Sequence, residues 1–276
     1  MFNKPNDMIG VGVNYRSDIN THILNNISSF DCVEIYTEKF FIKDHDETFE
    51  KILSHLPVLL HGLDLSVGSS SNEIDAEYLK DLKSVLKKVE HLWFSEHICL
   101  TKEDNVEVGH LMPVQFSHEV ADDIVRKVLT IKELSNKPFL LENITYYYKI
   151  PGSTMSEPQF ISYILDKADC GMLLDINNLY INSRNHRYDP KEYLKQIPLD
   201  RVVEGHLAGG AYKYSMLIDT HAHPISSEVW EFCDYITAIT PLNCLIIERD
   251  ANLPIFSELL EEVDIARGIL RKHGKI

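Results

Sequence analysis

Six residues that can bind a metal ion or carry a proton stand at the ends of short apolar segments, as in VLLH, FLLE and GMLLD. The six are His61, His97, Glu142, Asp175, His206 and Glu248. A buried imidazole or carboxylate needs partners for its polar atoms, because an unpaired buried charge is strongly unfavourable. A metal ion is one such partner. For any one of these residues alone, a satisfied core histidine or an ion pair is the alternative, but three carboxylates at equivalent strand ends favour a shared site.

A second group of ligand types lies in IDTHAHP, residues 218–224. Asp219, His221 and His223 are each two residues apart, so an extended backbone would place all three on one face. By the same alternation, Asn177 is expected on the face of Asp175. A loop with exposed histidines is the alternative interpretation of IDTHAHP.

The number and type of these ligands indicate the class of metal site. Nine candidate metal ligands exceed what one ion accepts, which favours two or three ions. The list is His61, His97, Glu142, Asp175, Asn177, His206, Asp219, His221 and Glu248. Nitrogen and oxygen donors without cysteine suit Fe, Mn, Zn or Co and do not suit an iron–sulfur cluster.

Eight apolar runs must position these residues, with amphipathic helix-like segments between them. The runs are IGVGVNYR, CVEIYTE, VLLHGLD, HLWFSEH, FLLEN, CGMLLDINN, VVEGHLAGG and CLIIERD. Helices are expected near 18–29, 45–55, 75–90, 115–135, 156–168, 189–196, 226–240 and 255–272. Uninterrupted alternation of strand and helix requires parallel strands with crossover helices.

Eight such repeats predict a single (β/α)8 TIM barrel domain over residues 1–276, with the metal site at the C-terminal mouth of the strands. The loops that would line the mouth are near 99–114, 143–156 and 208–226. An open sheet that binds a nucleotide is the alternative, but the sequence contains no GxGxxG or GxxxxGKS/T motif to support it.

Composition limits the partners and the compartment. The net charge of −15 argues against nucleic acid as a partner and favours a basic one. The five cysteines include no CxxC pair, and we expect all five to be reduced in a cytoplasmic protein. No signal peptide is predicted from MFNKPNDMIG, and no apolar run reaches the ~18 residues that a membrane span needs.

Several sequence blocks together resemble one known family. HGLDLSVGS, SEHICL, HLMPVQF, LLENITYY, LLDINNLYIN, EGHLAGG, LIDTHAHP and IERDANLP, which lie between about residues 9 and 270, are similar in order and spacing to those of a (β/α)8 family long described only as a domain of unknown function. Its best-studied members are multinuclear iron enzymes that modify cysteine in ribosomally made peptides. The segments GVNYR and VEIYTEKFF most resemble the methanobactin-biosynthesis, or MbnB-like, branch of that family.

This resemblance implies a set of residue roles. Glu142, Asp175, His206 and Glu248 match the positions for one iron and are the expected catalytic residues. His61 and His97, with bridging Glu142, match a second iron site, and Asp219 and His221, with Asn177 as a further candidate, match a third. The sequence departs from many relatives at Gly210, where they carry a further His, and at Ala222, where they carry Asp.

The resemblance also implies a reaction and its participants. The cofactor would be two or three iron ions, as Fe2+ or Fe3+, with O2 as co-substrate. An oxidase of the MbnB-like branch converts a peptide cysteine to an oxazolone ring with an adjacent thioamide. It works with an MbnC-like partner protein that binds the leader of the precursor peptide, as a heterodimer.

Three other interpretations remain open from the sequence. One is a related iron enzyme that excises the β-carbon of a peptide cysteine. Another is a divalent-metal sugar isomerase or endonuclease, since such barrels use comparable His and carboxylate sets. The third is a metal-storage or partner-binding scaffold without turnover.

Overall fold

Eight parallel strands close into a barrel in the computed structural model, which describes residues 2–42, 45–71, 73–103 and 106–276. The strands in chain order are β1 Gly10–Asn14, β2 Cys32–Tyr36, β3 Val58–Gly62, β4 Phe94–His97, β5 Leu100–Glu103, β6 Val106–Met112, β7 Phe139–Glu142, β8 Gly171–Asp175, β9 Val202–Leu207, β10 Ala211–Lys213, β11 Met216–Ile218 and β12 Cys244–Ile247. The barrel order is β1-β12-β9-β8-β7-β4-β3-β2, while β5-β6 and β10-β11 form two separate hairpins. The predicted (β/α)8 barrel is confirmed.

Helices cover the outside of this barrel. The α-helices are α1 Asn20–Asn25, α2 Glu47–His55, α3 Ala76–Lys88, α4 His118–Lys132, α5 Glu157–Ala168, α6 Ile176–His186, α7 Pro190–Leu194, α8 Ser227–Ile239 and α9 Phe256–Lys272. Polar caps fix several of their starts. The Asp75 side chain accepts from the backbone N–H of Glu77 and Tyr78 at the start of α3, and Ser156 forms a capping box with Gln159 at the start of α5.

Two features of the loops differ from the sequence-based expectation. The loops predicted at 99–114 and 208–226 contain the β5-β6 and β10-β11 hairpins, apart from residues 104 and 105, which lie outside the described residues. Helix α6 was not predicted. It begins at Ile176, immediately after β8, because the Asp175 side chain that ends the strand also accepts from the backbone N–H of Asn178, 2.6 Å away.

The strands carry two kinds of side chain on their inward face. Period-two alternation puts Leu59 with His61, and Leu140 with Glu142, on the same face of their strands. The inward residues nearer the N-terminal ends of the strands form a fully buried apolar cluster inside the barrel: Cys32, Leu59, Trp93, Leu140, Leu173, Val203, Cys244 and Ile246. The barrel is therefore filled at its base, and its polar inward residues lie above this plug, at the mouth.

The state of the cysteines and the length of the helices bear on two further expectations from the sequence. All five cysteines are free and buried, which agrees with the predicted absence of disulfides. Among the helices of the described residues, none is long and apolar enough to cross a membrane.

Candidate metal centre

The strand register aligns the candidate ligands at the barrel mouth. His97 on β4 is directly opposite Glu142 on β7, and Asp175 on β8 is directly opposite His206 on β9. Parallel strands end at the same rim, so residues far apart in sequence meet there. Within the described residues, the candidate ligands form three overlapping triads: His61, His97 and Glu142; Glu142, Asp175 and His206; and Asp175, His221 and Glu248. A fourth group joins His206 to two glutamates that were not predicted, Glu34 and Glu204. In each triad the donor atoms lie within 4.8 Å of one another.

The first triad joins two histidines to one carboxylate oxygen. Oε2 of Glu142 lies 3.2 Å from Nε2 of His61 and 3.1 Å from Nε2 of His97. All three side chains are buried. The structure thus brings together the three residues that the resemblance assigned to a second iron site.

The second group uses the other oxygen of the same carboxylate. Nδ1 of His206 lies 3.6 Å from Oε1 of Glu142 and 3.1 Å from Oε2 of Glu248. Asp175 contributes its Oδ2, since its Oδ1 caps helix α6. Glu142 thus contacts members of both groups, the position that a bridging carboxylate requires.

The third group lies nearest to solvent. Nε2 of His221 is 2.9 Å from Oδ1 of Asp219, and Nδ1 of His221 is 3.6 Å from Oε2 of Glu248. Asn177 donates through Nδ2 to Oδ1 of Asp219 at 2.9 Å. The side chains of His221 and Asp219 are 14% and 21% exposed, whereas that of His206 is completely buried. A substrate can therefore reach the centre from the His221 side.

The structure places two of these residues for reasons other than those predicted from the sequence. Asn177 is on the first turn of α6 and not on an extended strand, so its approach to Asp219 comes from the position of the helix. The segment after β11 is irregular, with φ of +46° at His221, and His223 is exposed. The expectation that Asp219, His221 and His223 converge was wrong for His223, because the backbone there does not alternate as an extended strand does.

In each deeply buried histidine, one ring nitrogen forms a hydrogen bond that fixes the orientation of the ring. Ser95 donates its hydroxyl proton to the carbonyl of Leu60, so its oxygen accepts from Nδ1 of His61 at 2.8 Å. Nδ1 of His97 donates to the carbonyl of Gly62 at 3.1 Å. These bonds leave Nε2 of each ring directed at Glu142, with its lone pair free in the neutral form. In metal-bound histidines, the ring nitrogen that does not bind the metal typically forms such a hydrogen bond.

His206 is held in the same way by a residue that was not predicted. Oε2 of Glu34 accepts from Nε2 of His206 at 3.0 Å, which directs Nδ1 toward Glu142 and Glu248. Glu204, also fully buried, accepts from Nε1 of Trp93 at 2.7 Å. A charged residue inside the apolar runs CVEIY and VVEGH was the sequence signal for both glutamates.

Two more unpredicted residues position the outer part of the centre. Asn14, at the end of β1, donates to Oε1 of Glu248 at 3.3 Å. Asp250 lies 3.0 Å from Nδ1 of His221 and forms an ion pair with Arg16. Their signal was weak, because Asn14 and Arg16 simply end the first apolar run and Asp250 follows the last.

Burial and neighbouring charges shift the pKa values of residues in the metal-free centre, lowering that of His61 and raising those of His97 and Asp175. Burial, with neighbouring His97 and His206, holds the pKa of His61 well below its ordinary value. Burial also opposes protonation of His97, but Glu142 and Glu96 outweigh it and raise its pKa to about 9. Burial and Glu142 raise the pKa of Asp175 well above its ordinary value. The cluster therefore holds protons between its acids and imidazoles, which a metal cation would displace.

Further contacts at the barrel mouth fix the loop that carries Asp219 and His221. A Cβ on Gly209 would lie 2.0 Å from the carbonyl oxygen of His223, and one on Gly210 would lie 2.7 Å from that of Ile218. The two glycines let the backbone approach the 218–224 segment, which brings His221 over the centre.

The unpartnered atoms of this cluster suit a bound cation. Within the described residues, Oε2 of Glu142, Oδ2 of Asp175 and Nδ1 of His206 are buried and make no hydrogen bond. Native proteins rarely leave buried polar atoms without partners, except where these atoms bind an ion or a ligand. Donor atoms that lie close together without bonding to each other are directed at common points. The residues present therefore fit metal ions held by nitrogen and oxygen ligands.

Solved structures with related architecture show the fold alone. A D-psicose 3-epimerase from Clostridium cellulolyticum aligns with a TM-score of 0.59 and 10% identity, covering 96% of this chain and 98% of that one. The 3-keto-D-glucoside 4-epimerase YcjR from E. coli aligns with a TM-score of 0.60 and 12% identity, covering 94% and 99%.

Sequence comparisons identify the family. A UPF0276 protein of Caulobacter vibrioides is 34% identical over 239 residues, covering 86% of this chain and 85% of the relative. Another from Acaryochloris marina is 30% identical over 266 residues, covering 96% of each. The model of the RiPP precursor modification enzymes MbnB/TglH/ChrH, where RiPP denotes a ribosomally made and modified peptide, matches residues 10–271. The chain therefore belongs to the MbnB/TglH/ChrH family of RiPP precursor modification enzymes.

Proposed function

We propose that this protein is an iron-dependent oxidase that uses O2 to modify a cysteine of a ribosomally made precursor peptide. The observation that carries the proposal is the set of overlapping triads at the barrel mouth, two of which share Glu142. Membership of the peptide-modifying family supports the peptide as substrate. Within that function we propose the MbnB-like outcome, a four-electron oxidation of cysteine to an oxazolone with an adjacent thioamide, for which O2 is the oxidant.

The protein would hold two or three iron ions through residues on separate strands. His61, His97 and Glu142 would hold one ion, Glu142, Asp175, His206 and Glu248 another, and Asp219, His221 and Asn177 a third. Bound iron would supply one-electron redox chemistry toward O2 and a positive charge that favours the thiolate form of cysteine. Because a hydrogen bond at the other ring nitrogen fixes each buried imidazole, the ligands are oriented before any substrate binds.

The chain itself controls how the peptide reaches the centre. The base of the barrel is plugged by apolar side chains, so the approach is through the mouth, where Asp219 and His221 are partly exposed. Asp250, paired with Arg16, holds His221 in place from the side opposite Asp219. A peptide cysteine bound at this rim would be held beside the ligands, so that a bimolecular encounter becomes an oriented one.

We also propose that the enzyme works with an MbnC-like partner that binds the leader of the precursor, as a heterodimer in the cytoplasm. The net charge of −15 would favour a basic leader or partner through electrostatic steering. The five free cysteines suit a reducing compartment.

The direct test is anaerobic purification with Fe2+, followed by elemental analysis, Mössbauer spectra and O2 uptake with a cysteine-bearing precursor peptide and the partner. The proposal requires bound iron and O2 uptake that depends on the peptide. Loss of four hydrogens from the peptide, measured by mass spectrometry, supports the MbnB-like reaction. Loss of a carbon would instead indicate excision of the cysteine β-carbon. Tight iron without turnover would indicate a scaffold, and sugar turnover that is indifferent to O2 would indicate an isomerase.

A matched pair of variants makes this test specific. His61→Ala removes a ligand of the first triad and should abolish both iron at that site and peptide-dependent O2 uptake. His55→Ala removes an exposed histidine on α2, whose Nδ1 contacts the carbonyl of Lys51, and should change neither. Equal activity of the two variants would contradict the assignment.

A further inference from the structure

A separate cavity of about 620 Å³ opens beside the metal centre, between the loop after β7, the start of α5 and the segment 186–196. Four aromatic rings line it, those of Phe116, Tyr146, Tyr188 and Tyr193. We propose that this cavity binds a basic side chain, Lys or Arg, of the peptide substrate. The inference rests on the proposed function, because it assumes that the substrate is a peptide.

One carboxylate on the cavity wall forms no ion pair with any residue that the structure describes. Glu157 is 7% exposed, and its Oε2 accepts from the hydroxyl of Tyr146 at 3.1 Å. In the described parts of the chain, no Lys, Arg or His forms an ion pair with it. Burial raises the pKa of Glu157 to about 8, in spite of the hydrogen bond from Tyr146. A carboxyl group desolvated in this way gains most from a bound cation.

A second polar group on the wall is also unsatisfied. Tyr193 is 4% exposed, and its hydroxyl is buried next to Glu157 without a well-formed hydrogen bond within the described residues. The hydroxyl of Tyr188 is also buried and forms no hydrogen bond with a described residue. Two unused hydroxyl groups beside an unpaired carboxylate indicate a cavity built for a polar ligand.

The rings add an attraction for the same kind of ligand. Tyr188 and Tyr193 are stacked with centroids 5.8 Å apart, and Tyr146 is stacked on His186 at 4.4 Å. Aromatic faces attract ammonium and guanidinium groups and pack against their methylene chains. The acidic side chains of the lining, Glu157, Asp189 and Glu192, outnumber its one lysine, Lys149, which disfavours an anion. An apolar group would leave the buried carboxyl of Glu157 without a polar partner. The lining therefore selects a cation on an apolar stem, which is a Lys or Arg side chain.

The loop that forms the cavity also reaches the metal centre. Tyr146 faces the cavity, while the hydroxyl of the next residue, Tyr147, accepts from the backbone N–H of Asp219 at 3.1 Å. The carbonyl of Tyr146 contacts Nε2 of His186 at 2.8 Å. Cavity and centre thus lie on either side of one short segment, which favours a ligand that belongs to the same peptide as the reacting cysteine over a free polyamine.

The binding test uses the metal-free chain, so its result does not depend on iron or turnover. The probes are the N-acetyl methylamides of lysine, arginine and norleucine, with spermidine as a free polyamine, titrated by NMR. We expect lysine and arginine probes to bind, the norleucine probe to bind at least about tenfold more weakly, and Glu157→Gln to remove that difference. Tyr188→Leu, which keeps the carboxylate, should also weaken the cationic probes. Glu90→Gln makes the same substitution at an exposed position outside the cavity and should have no effect.

The second arm uses the iron-loaded enzyme with its partner and two peptides that differ only in lysine or norleucine. We expect Glu157→Gln to raise KM about tenfold for the lysine peptide, with kcat unchanged, and to leave the norleucine peptide unaffected. Equal binding of norleucine and lysine probes, or unchanged lysine binding in both variants, would overturn the proposal. Tight spermidine binding without any effect of the peptide lysine would assign the cavity to a free polyamine instead. Failure of turnover with intact probe selectivity would count against the oxidase function and not against the cation site.

Discussion

Glu142 is the residue whose loss should have the largest effect on metal content. Its Oε2 lies 3.2 and 3.1 Å from the Nε2 atoms of His61 and His97, and its Oε1 lies 3.6 Å from Nδ1 of His206. Glu142→Gln keeps the shape of the side chain but removes its charge and replaces one oxygen by an NH2 group. The variant therefore removes an anionic ligand from two triads at once.

The size of the effect follows from this double role. Removing a group that only supports a metal ligand costs about 10–100-fold in affinity. Loss of a direct, charged ligand should exceed the upper end of that range in both triads that contain Glu142. The third site, formed by Asp219, His221 and Asn177, does not contain Glu142 and should retain its ion. The variant chain should therefore lose the ions of two sites and keep that of the third.

The assay is iron content per chain after anaerobic equilibration with Fe2+ in a chelator buffer that just saturates the wild-type chain. Glu157→Gln is the matched control, since it makes the same substitution at a buried glutamate outside the cluster, and its iron content should stay at the wild-type value. Circular dichroism confirms that both variants are folded. Full iron occupancy in Glu142→Gln would refute the bridging role and the arrangement of overlapping sites.

Three further predictions concern residues around the centre and the second cavity. Glu34→Gln should lower iron affinity at the site of His206 by about 10–100-fold, measured by chelator competition, and an unchanged affinity would show that the contact with Nε2 does not matter. Gly209→Ala should lower the melting temperature and the iron content, because the new Cβ would lie 2.0 Å from the carbonyl oxygen of His223; a chain with wild-type values would show that the loop adapts freely. The pKa of Glu157 is raised from 4.5 to about 8 by burial, so the folded state binds the proton more tightly than the unfolded state, and this stabilisation is lost as pH rises through that interval. Glu157→Gln should therefore gain stability relative to the wild-type chain between pH 5 and pH 9 in denaturant unfolding of the metal-free protein, and parallel pH profiles would contradict the buried, unpaired state of the carboxylate.

Local patterns in the sequence were sufficient for the barrel and for its innermost candidate ligands. Alternation within a strand gives each residue a face, and parallel strands in a closed barrel bring their ends to one rim. These two rules place six candidate ligands at one rim from the sequence alone: His61, His97, Glu142, Asp175, His206 and Glu248. Their role as ligands stays a prediction. The family followed from the order and spacing of the blocks that contain these residues.

Contacts between distant segments were decided only by the tertiary structure. The backing of His206 by Glu34 joins residues 172 positions apart, and the hydrogen bond of Asn14 to Glu248 joins residues 234 positions apart. The exposure of His223 depends on an irregular loop held against Gly209. Nothing in the local sequence specifies such pairings, because they depend on strand register, helix position and loop packing together.

The cavity around Glu157 likewise depends partly on local sequence and partly on tertiary packing. The sequence shows Tyr146, Tyr147 and Tyr148 in a row but does not say which ring faces which side of the loop. Tertiary packing turns Tyr146 toward Glu157 and Tyr147 toward Asp219. The sequence thus determined which chemical groups reach the barrel mouth, because strand alternation is local. Packing across the whole chain decided which of those groups face a metal, a partner side chain or an open cavity.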